Sequence, residues 1–271
     1  MRTLFARFVI GLMAAPFFVS MAMAQAGAAG ENNMYNRLKN GGAGGPAPKR
    51  SVTGVWTGAL EAIRPDVPPM TPLGQKLFSA SKTEANTGSW ADVNDPWKTC
   101  DPFGMPRSAV NEIRGISFAE MPDKIIVLHQ YNRVWRDVWM DGRQLPKNVD
   151  QKGGPDSTWY GYSVGHWEGD YTLVIDTTGS DGSEWLDPRG YPHSAQGVFE
   201  ERYTRVDHNH LEMTVTVNDP AIYTKPFVLG TSKFAWVPNQ QSEEQICVPS
   251  QSIAYVNIIS VPAVRKAEPP K

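Results

Sequence analysis

The segment between Trp159 and Thr178 constrains the fold more than any other part of the chain. Residues 159–167 are rich in aromatic and small side chains, and residues 172–178 are apolar and β-branched, as strands prefer. Between them, Gly169 can adopt the positive φ that a tight hairpin turn requires. The pattern predicts a β-hairpin with strands at 159–167 and 172–178.

Short strands separated by turn residues continue on both sides of this hairpin. One helix is predicted at 71–78, with Thr71 as its N-cap and Pro72 in its first turn. Consecutive hairpin-connected strands hide their edges best by closing on themselves. We therefore predict one all-β domain, an antiparallel up-and-down β-barrel with a short N-terminal helix, and a β-sandwich is the alternative. The other predicted strands lie at 52–60, 112–121, 125–131, 134–140, 196–205, 211–217, 227–237 and 244–249.

The first residues have the pattern of a secretory signal. Arg2 and Arg7 give the first residues a positive charge, and an apolar run follows at 8–23. Ala22-Met23-Ala24 fits a small-x-small cleavage site. The apolar run is short for a membrane span. We therefore expect no membrane-spanning segment in the mature chain after cleavage at residue 24. Residues 25–50 are rich in Gly, Ala, Asn and Pro, which predicts a flexible, disordered leader. The β-barrel domain would then cover 51–253, followed by a C-terminal tail at 254–271.

Charge and cysteine content indicate which partners and which location to expect. The chain has 26 basic and 28 acidic residues, which leaves no basic footprint for nucleic acid. Cys100 and Cys247 are its two cysteines. In an exported protein a disulfide is the default, with a reactive thiol or a metal ligand as the alternative. We expect a Cys100–Cys247 disulfide and a periplasmic or secreted location.

Two resemblances accompany this pattern. Gly54-Val55-Trp56 in the first strand, followed by a β-meander, resembles the start of lipocalin and wider calycin barrels, which implies a lipocalin-like barrel. The region from about 53 to 249 resembles an uncharacterised family of secreted bacterial proteins, which supports the domain boundaries and implies no activity. The matching segments are 100–107 (CDPFGMPR), 141–143 (DGR), 161–170 (GYSVGHWEGD), 176–179 (DTTG), 193–194 (HS), 201–202 (ER), 219–220 (DP) and 223–226 (YTKP).

Glu201 and His193 are the leading candidates for acid–base chemistry. Glu201 shares a strand face with Phe199 and Tyr203, so an inward orientation would place its carboxyl in an apolar pocket and raise its pKa. His193 precedes the same strand, where a general acid or base could meet a ligand at a barrel mouth. We hypothesise that the two act together. The alternatives are a Glu201 ion pair with Arg136 and a His193 that only stabilises its loop.

Asp176 is the third catalytic candidate. It lies near the end of the strand at 172–178 and could orient a histidine, or could begin the next loop by bonding its backbone. Ser163, in Gly161-Tyr162-Ser163-Val164-Gly165, has the spacing of a nucleophile elbow, but the segment continues as a strand rather than turning into a helix. The histidines show no closely spaced pair in a credible site, so we predict neither a metal nor an organic cofactor.

Aromatic and polar residues of the central meander are the candidate substrate-binding residues, because rings with polar tips suit flat or amphipathic ligands. The resulting hypothesis is an acid–base lyase, isomerase or hydrolase acting on a small aromatic or amphipathic substrate in the barrel mouth. The alternative is a lipocalin-like small-molecule binding protein without turnover. The sequence indicates no nucleic-acid partner and leaves the oligomeric state open. The candidate substrate-binding residues are His129, Arg136, Trp139, Tyr162, Trp185 and Tyr203.

Overall fold

Ten strands of a single sheet make up most of the regular structure. The computed structural model describes residues 42–57, 61–111, 115–239 and 244–267. The strands are β1 Gly54–Thr57, β2 Glu61–Ile63, β3 Gly115–Glu120, β4 Lys124–His129, β5 Val134–Trp139, β6 Tyr162–Glu168, β7 Thr172–Thr178, β8 Val198–Arg205, β9 His210–Asn218 and β10 Phe227–Ala235.

The order of strands in the sheet is β1-β3-β4-β5-β6-β7-β8-β9-β10-β2. Neighbours pair antiparallel except β5 and β6, which pair parallel at Val138–Ser163 and Trp139–Val164. The predicted all-β, mainly antiparallel class is confirmed. The closed up-and-down barrel is wrong, because the long connection 140–161 returns the chain so that β6 runs in the same direction as β5. One sheet holds all ten described strands, so they do not form the alternative sandwich.

The sheet curls until its two ends approach each other. An isolated bridge joins Trp56 to Trp236, and the Val237 N–H donates to the Val55 carbonyl at 2.8 Å. The result is a curled half-barrel rather than a closed ladder. Its inner face carries the core, where alternate residues of β8 and β9 point inward and are buried. These core residues include Phe199, Tyr203, Leu211, Met213, Val215 and Val217.

Short helices lie outside the sheet. They are α1 Pro72–Ala80, α2 Glu84–Thr87, α3 Arg107–Val110, α4 Pro249–Tyr255 and α5 Val261–Ala267, with 3₁₀ turns at Trp90–Asp92 and Pro96–Thr99 and a π-helix at Val256–Ser260.

The predicted N-terminal helix is confirmed as α1. The Thr71 hydroxyl accepts a hydrogen bond from the Gly74 N–H at 3.1 Å, and Pro72 lies in the first turn. The last predicted strand, at 244–249, is wrong, because Gln245 makes only one bridge, to Tyr131. The predicted C-terminal tail is helical from its first residue to Ala267.

The segments at both ends of the domain are linked to the sheet or its loops, one by a disulfide and the other by hydrogen bonds. The predicted disulfide is confirmed, and Cys100–Cys247 joins the end of a 3₁₀ turn to the residues before α4. At the other end, residues 42–50 are bonded to the hairpins. The Asn209 N–H donates to the Ala43 carbonyl at 3.1 Å, and the Arg50 N–H donates to the Asp170 carbonyl at 2.6 Å. Ordered chain therefore begins before the predicted boundary at 51. The predicted signal sequence and residues 25–41 lie outside the described residues.

No helix within the described part of the chain is both long and apolar enough to cross a membrane.

Candidate functional site

An ion pair crosses the inner face of the sheet. Arg136 on β5 donates from Nη2 to both carboxylate oxygens of Glu201 on β8, at 2.7 and 2.6 Å. Its Nη1 donates to the hydroxyls of Ser163 and Thr177, each at 3.2 Å. The Tyr203 hydroxyl donates to Glu201 at 2.9 Å. Because β6 and β7 lie between β5 and β8, the side chain of Arg136 ties four strands together.

This network indicates a structural role for Glu201, which is the alternative from the sequence. Its inward orientation agrees with the face it shares with Phe199 and Tyr203, and its exposure is 0%. The charge is neutralised by Arg136. Both carboxylate oxygens of Glu201 already accept hydrogen bonds from Arg136, and one of them also accepts from Tyr203, so the side chain is held in place within the sheet.

His193 lies in a different buried cluster. Its Nδ1 is 3.3 Å from the Ser194 carbonyl, and its Nε2 is 3.7 Å from the Oε1 of Glu184. Glu184 also accepts from the Ser180 hydroxyl at 3.0 Å. Burial raises the pKa of Glu184, and His193 counteracts that rise. The His193 ring packs edge-on against Phe199, two residues before Glu201, but its polar partners are those of this loop cluster.

The acid–base groups with access to solvent lie on the outer face of the sheet. A cavity of about 650 Å³, here called the acid–base cavity, has Asp176 of β7 and His166 of β6 in its wall. The strand register puts them on one face, since Asp176 pairs with Val164, two residues from His166. Its further lining comes from 142–149, which belong to the long connection between β5 and β6, and from Gln196 and Val198.

Asp176 has a perturbed pKa in the wall of this cavity. Burial raises its pKa, and Glu200, directly opposite on β8, raises it further. His166 counteracts the rise. Arg202 lies 3.7 Å from Glu200 and also donates to Glu168, and that hydrogen bond lowers the pKa of Glu168. A carboxyl with a raised pKa in a cavity wall is a typical acid–base group.

A second cavity adjoins the first. It has a volume of about 490 Å³, lies where β5 and β6 meet, and is here called the seam cavity. The two cavities share four residues: Arg143, Gln144, Pro146 and Val164. The remaining lining of the seam cavity consists of Trp135, Arg136, Asp137, Trp139, Tyr160, Gly161, Tyr162 and Ser163.

The connection that borders both cavities is anchored to the domain. Val149 is buried, and the Gln196 side chain donates to its carbonyl at 2.9 Å. The Tyr162 hydroxyl donates to the Asp156 carbonyl at 2.7 Å. Long connections without regular structure are uncommon in compact domains and are often functional. This anchoring gives the cleft a preformed wall.

The structure therefore divides the predicted site residues into groups. Asp176 lines the acid–base cavity, while Arg136, Trp139 and Tyr162 line the seam cavity. Glu201 and Tyr203 lie in the inner network with Arg136, and His193 lies in the loop cluster. His129 is buried and stacks near Tyr160 at 6.4 Å, and Trp185 is buried.

The sequence analysis missed His166, Trp135 and Glu184 as members of these clusters. His166 could have been found from the hairpin register, which sets it beside Asp176. For Glu184 we see no sequence signal, because a loop carboxylate is ordinarily exposed.

The described residues offer no metal site: across 42–57, 61–111, 115–239 and 244–267, no three His, Cys, Asp or Glu side chains are grouped to hold an ion.

Fold and site together define a disulfide-linked, all-β domain with a two-part cleft on the outer face of a curled sheet. Comparisons with protein-family models, with curated proteins and with solved structures found no match to the chain. The function must therefore be argued from the cleft itself.

Proposed function

We propose that this protein is an exported acid–base enzyme whose substrate, a small amphipathic molecule, binds in the acid–base cavity. The observation that carries the proposal is the position of Asp176, a carboxyl with a raised pKa in the wall of a cavity of about 650 Å³. Asp176 donates or accepts the proton, and His166 acts as the neighbouring base or acid. A lyase, isomerase or hydrolase reaction needs no more than such a pair.

The cleft is suited to an amphipathic substrate. Val164, Leu145 and Pro146 supply apolar surface, and Arg143, Lys147 and Gln196 supply charge and hydrogen bonds. Sites for small molecules combine a mainly apolar lining with a few placed polar groups. The site differs from the barrel mouth in its position, because Asp176 and His166 face outward.

Export is part of the proposal. The Cys100–Cys247 disulfide forms and persists in oxidising compartments such as the periplasm or the extracellular space. Residues 1–24 carry the sequence pattern of a secretory signal.

The lipocalin-like alternative places a ligand inside the curled sheet, without turnover. Phe199, Tyr203 and Met213 fill inner-face positions there and are fully buried. The outer cleft holds the exposed acid–base groups, and this favours an enzyme over a lipocalin-like carrier.

The test is a turnover screen with matched variants. Purified protein is incubated with a panel of small aryl esters, aryl hydroxy acids and glycosides, and products are followed by mass spectrometry. We expect Asp176→Asn to lower kcat by about 10²-fold or more for any compound turned over. Glu212→Gln, on the outer face of β9 away from the cleft, is the control and should retain full activity.

Three results would count against the proposal. Equal turnover by wild type and Asp176→Asn would remove Asp176 from the chemistry. If no compound is turned over but some shift the NMR signals of His166, the cleft is a binding site without catalysis; if the panel causes neither effect, the cleft assignment itself is wrong.

A further inference from the structure

The last helical segment of the chain packs against the domain through a side that carries small polar residues. α4, the π-helix and α5 follow one another without a break over residues 249–267, and together they are here called the C-terminal helix. Along it, Ser252, Val256 and Ser260 recur every four residues and are partly covered. The Ser252 hydroxyl donates to the Lys98 carbonyl at 2.6 Å. Two of the three residues that face the domain are therefore serines.

The other side of the C-terminal helix is apolar and faces solvent. Tyr255, Ile258 and Ile259, here called the apolar stripe, are spaced three and four residues apart and are 54%, 69% and 52% exposed. A surface helix that packs only to complete a fold turns its apolar side toward the core. The C-terminal helix has the reverse orientation. Exposed apolar surface of this kind is typical of a site that binds another apolar surface.

The sequence around the apolar stripe has no charge until the last turn of the helix. Residues 245–264 contain no Asp, Glu, Lys, Arg or His, and Arg265 and Lys266 follow in the last turn of α5. Apolar side chains combined with basic residues are typical of helices that lie in the surface of an anionic bilayer. Tyrosine, present here as Tyr255, is enriched at that depth because its ring is apolar and its hydroxyl is polar.

The C-terminal helix is fixed to the domain where it begins. Cys247, two residues before the helix, is bonded to Cys100, and its N–H donates to the Asn132 side chain at 2.7 Å. The main contacts of the helix itself are with the 3₁₀ turns at Trp90–Asp92 and Pro96–Thr99. Because these links hold the helix in one orientation, binding through the apolar stripe need not pay the entropy of ordering it.

The size of the apolar stripe favours a lipid surface over a second protein chain. Three partly exposed side chains supply far less than the roughly 800 Å² per partner that a standard protein interface buries. Binding to a bilayer surface has no such minimum. It increases with the apolar area that is inserted and with the attraction between basic residues and anionic lipids.

We propose that the C-terminal helix binds the protein to anionic lipid surfaces. The helix lies in the plane of the surface, with the apolar stripe inserted at the boundary between headgroups and acyl chains. Arg265 and Lys266 place the basic end of the helix among anionic headgroups. This interaction surface goes beyond the proposed function and does not depend on the acid–base cavity.

Flotation with lipid vesicles tests this surface, using the protein without residues 1–24. We expect it to float with vesicles of phosphatidylethanolamine and phosphatidylglycerol. Binding to vesicles of phosphatidylcholine alone should be at least about fivefold weaker, the scale of one basic residue near an anionic surface.

Matched variants locate the contact. Ile258→Asp should weaken binding to the anionic vesicles by about tenfold or more, because its side chain no longer enters the interface. Ile63→Asp changes an isoleucine of similar exposure, 65%, on β2 and should bind as wild type does. The double variant Arg265→Gln, Lys266→Gln keeps the apolar stripe and should lose about tenfold or more on the anionic vesicles. Melting curves check that each variant is folded.

Three flotation results would overturn the proposal. They are no binding of wild type to either kind of vesicle, equal binding to both kinds, and equal weakening by Ile258→Asp and Ile63→Asp. Sedimentation velocity tests the competing partner. A dimer that Ile258→Asp dissociates, in a protein that does not bind vesicles, would assign the apolar stripe to a second copy of the chain instead.

Discussion

Arg136 and Glu201 are 65 residues apart in the chain and form a bidentate ion pair inside the curled sheet, with Nη2 to oxygen distances of 2.7 and 2.6 Å. Both side chains are at least 95% buried. A buried pair of this kind makes each partner dependent on the other, because either charge alone would be isolated from water.

Replacing Glu201 with Gln should therefore destabilise the protein strongly. The change keeps the shape of the side chain but leaves the Arg136 charge uncompensated, which costs about 3–5 kcal/mol. Urea unfolding followed by fluorescence measures the loss. Glu200→Gln, next in the chain but on the outer face, is the control and should change the free energy of unfolding by less than about 1 kcal/mol. Equal stability of Glu201→Gln and wild type would contradict the structural role.

Replacing Asp176 with Asn should raise the melting temperature at pH 7. Burial and Glu200 raise the pKa of Asp176 above its ordinary 3.8, so the folded state holds the proton more tightly than the unfolded state does. Ionisation then destabilises the folded state, increasingly as pH rises from about 3.8 through the folded pKa. The increase in melting temperature caused by Asp176→Asn should reach its full size above the folded pKa of Asp176. It should disappear below pH 3.8, where Asp176 is protonated in both states.

A pH series of melting curves tests this sign against a matched variant. Glu168 has a lowered pKa, mainly because Arg202 donates to it. Its ionised form therefore stabilises the folded state above pH 4.5 and stops doing so as pH falls below the lowered value. Glu168→Gln should lower the melting temperature at pH 7, opposite in sign to Asp176→Asn. The same sign for both variants would refute the assignment.

Removing the disulfide should cost about 5 kcal/mol of unfolding free energy, since Cys100 and Cys247 are separated by 147 residues and closing so long a loop restricts the unfolded chain. The measurement compares denaturant unfolding of wild type with that of the Cys100→Ala, Cys247→Ala double variant. Adding reductant should bring wild type to the midpoint of the double variant. An unchanged midpoint in both cases would show that the link contributes nothing.

Replacing Gly104 with Ala should be far more damaging than the same change at Gly142. Both glycines have positive φ, +63° and +81°, which costs an alanine about 1–2 kcal/mol. At Gly104 the new Cβ would also lie 1.9 Å from Oε1 of Glu184 and 2.7 Å from the Trp159 carbonyl, whereas at Gly142 nothing lies within 4 Å. The difference between the two melting temperatures measures how tightly the Glu184–His193 cluster is packed. Equal decreases in melting temperature would mean that Glu184 and its neighbours move to accommodate the new Cβ at little cost.

Most strands could be predicted from the sequence, although β2 Glu61–Ile63 was missed. Residues 172–178 form β7 with the predicted bounds, and in β9 the buried Leu211 and Met213 alternate with the more exposed Glu212 and Thr214. These features are local, because side-chain alternation has a period of two and turn residues mark the ends of strands. The α1 N-cap and the Cys100–Cys247 disulfide could also be predicted, since Thr71 acts within one turn and no other cysteine exists to pair.

The tertiary structure alone decided how the strands meet and which face holds the site. Glu168 pairs with Thr172, so three residues form the β6–β7 loop, and that register places Asp176 outward beside His166. A slip of one residue would have turned Asp176 to the inner face. Likewise, the order β5-β6-β7-β8 brings Arg136 within reach of Glu201, and the short parallel pairing of β5 with β6 borders the seam cavity. Local sequence sets what each strand can bury, but contacts between distant strands depend on the whole sheet.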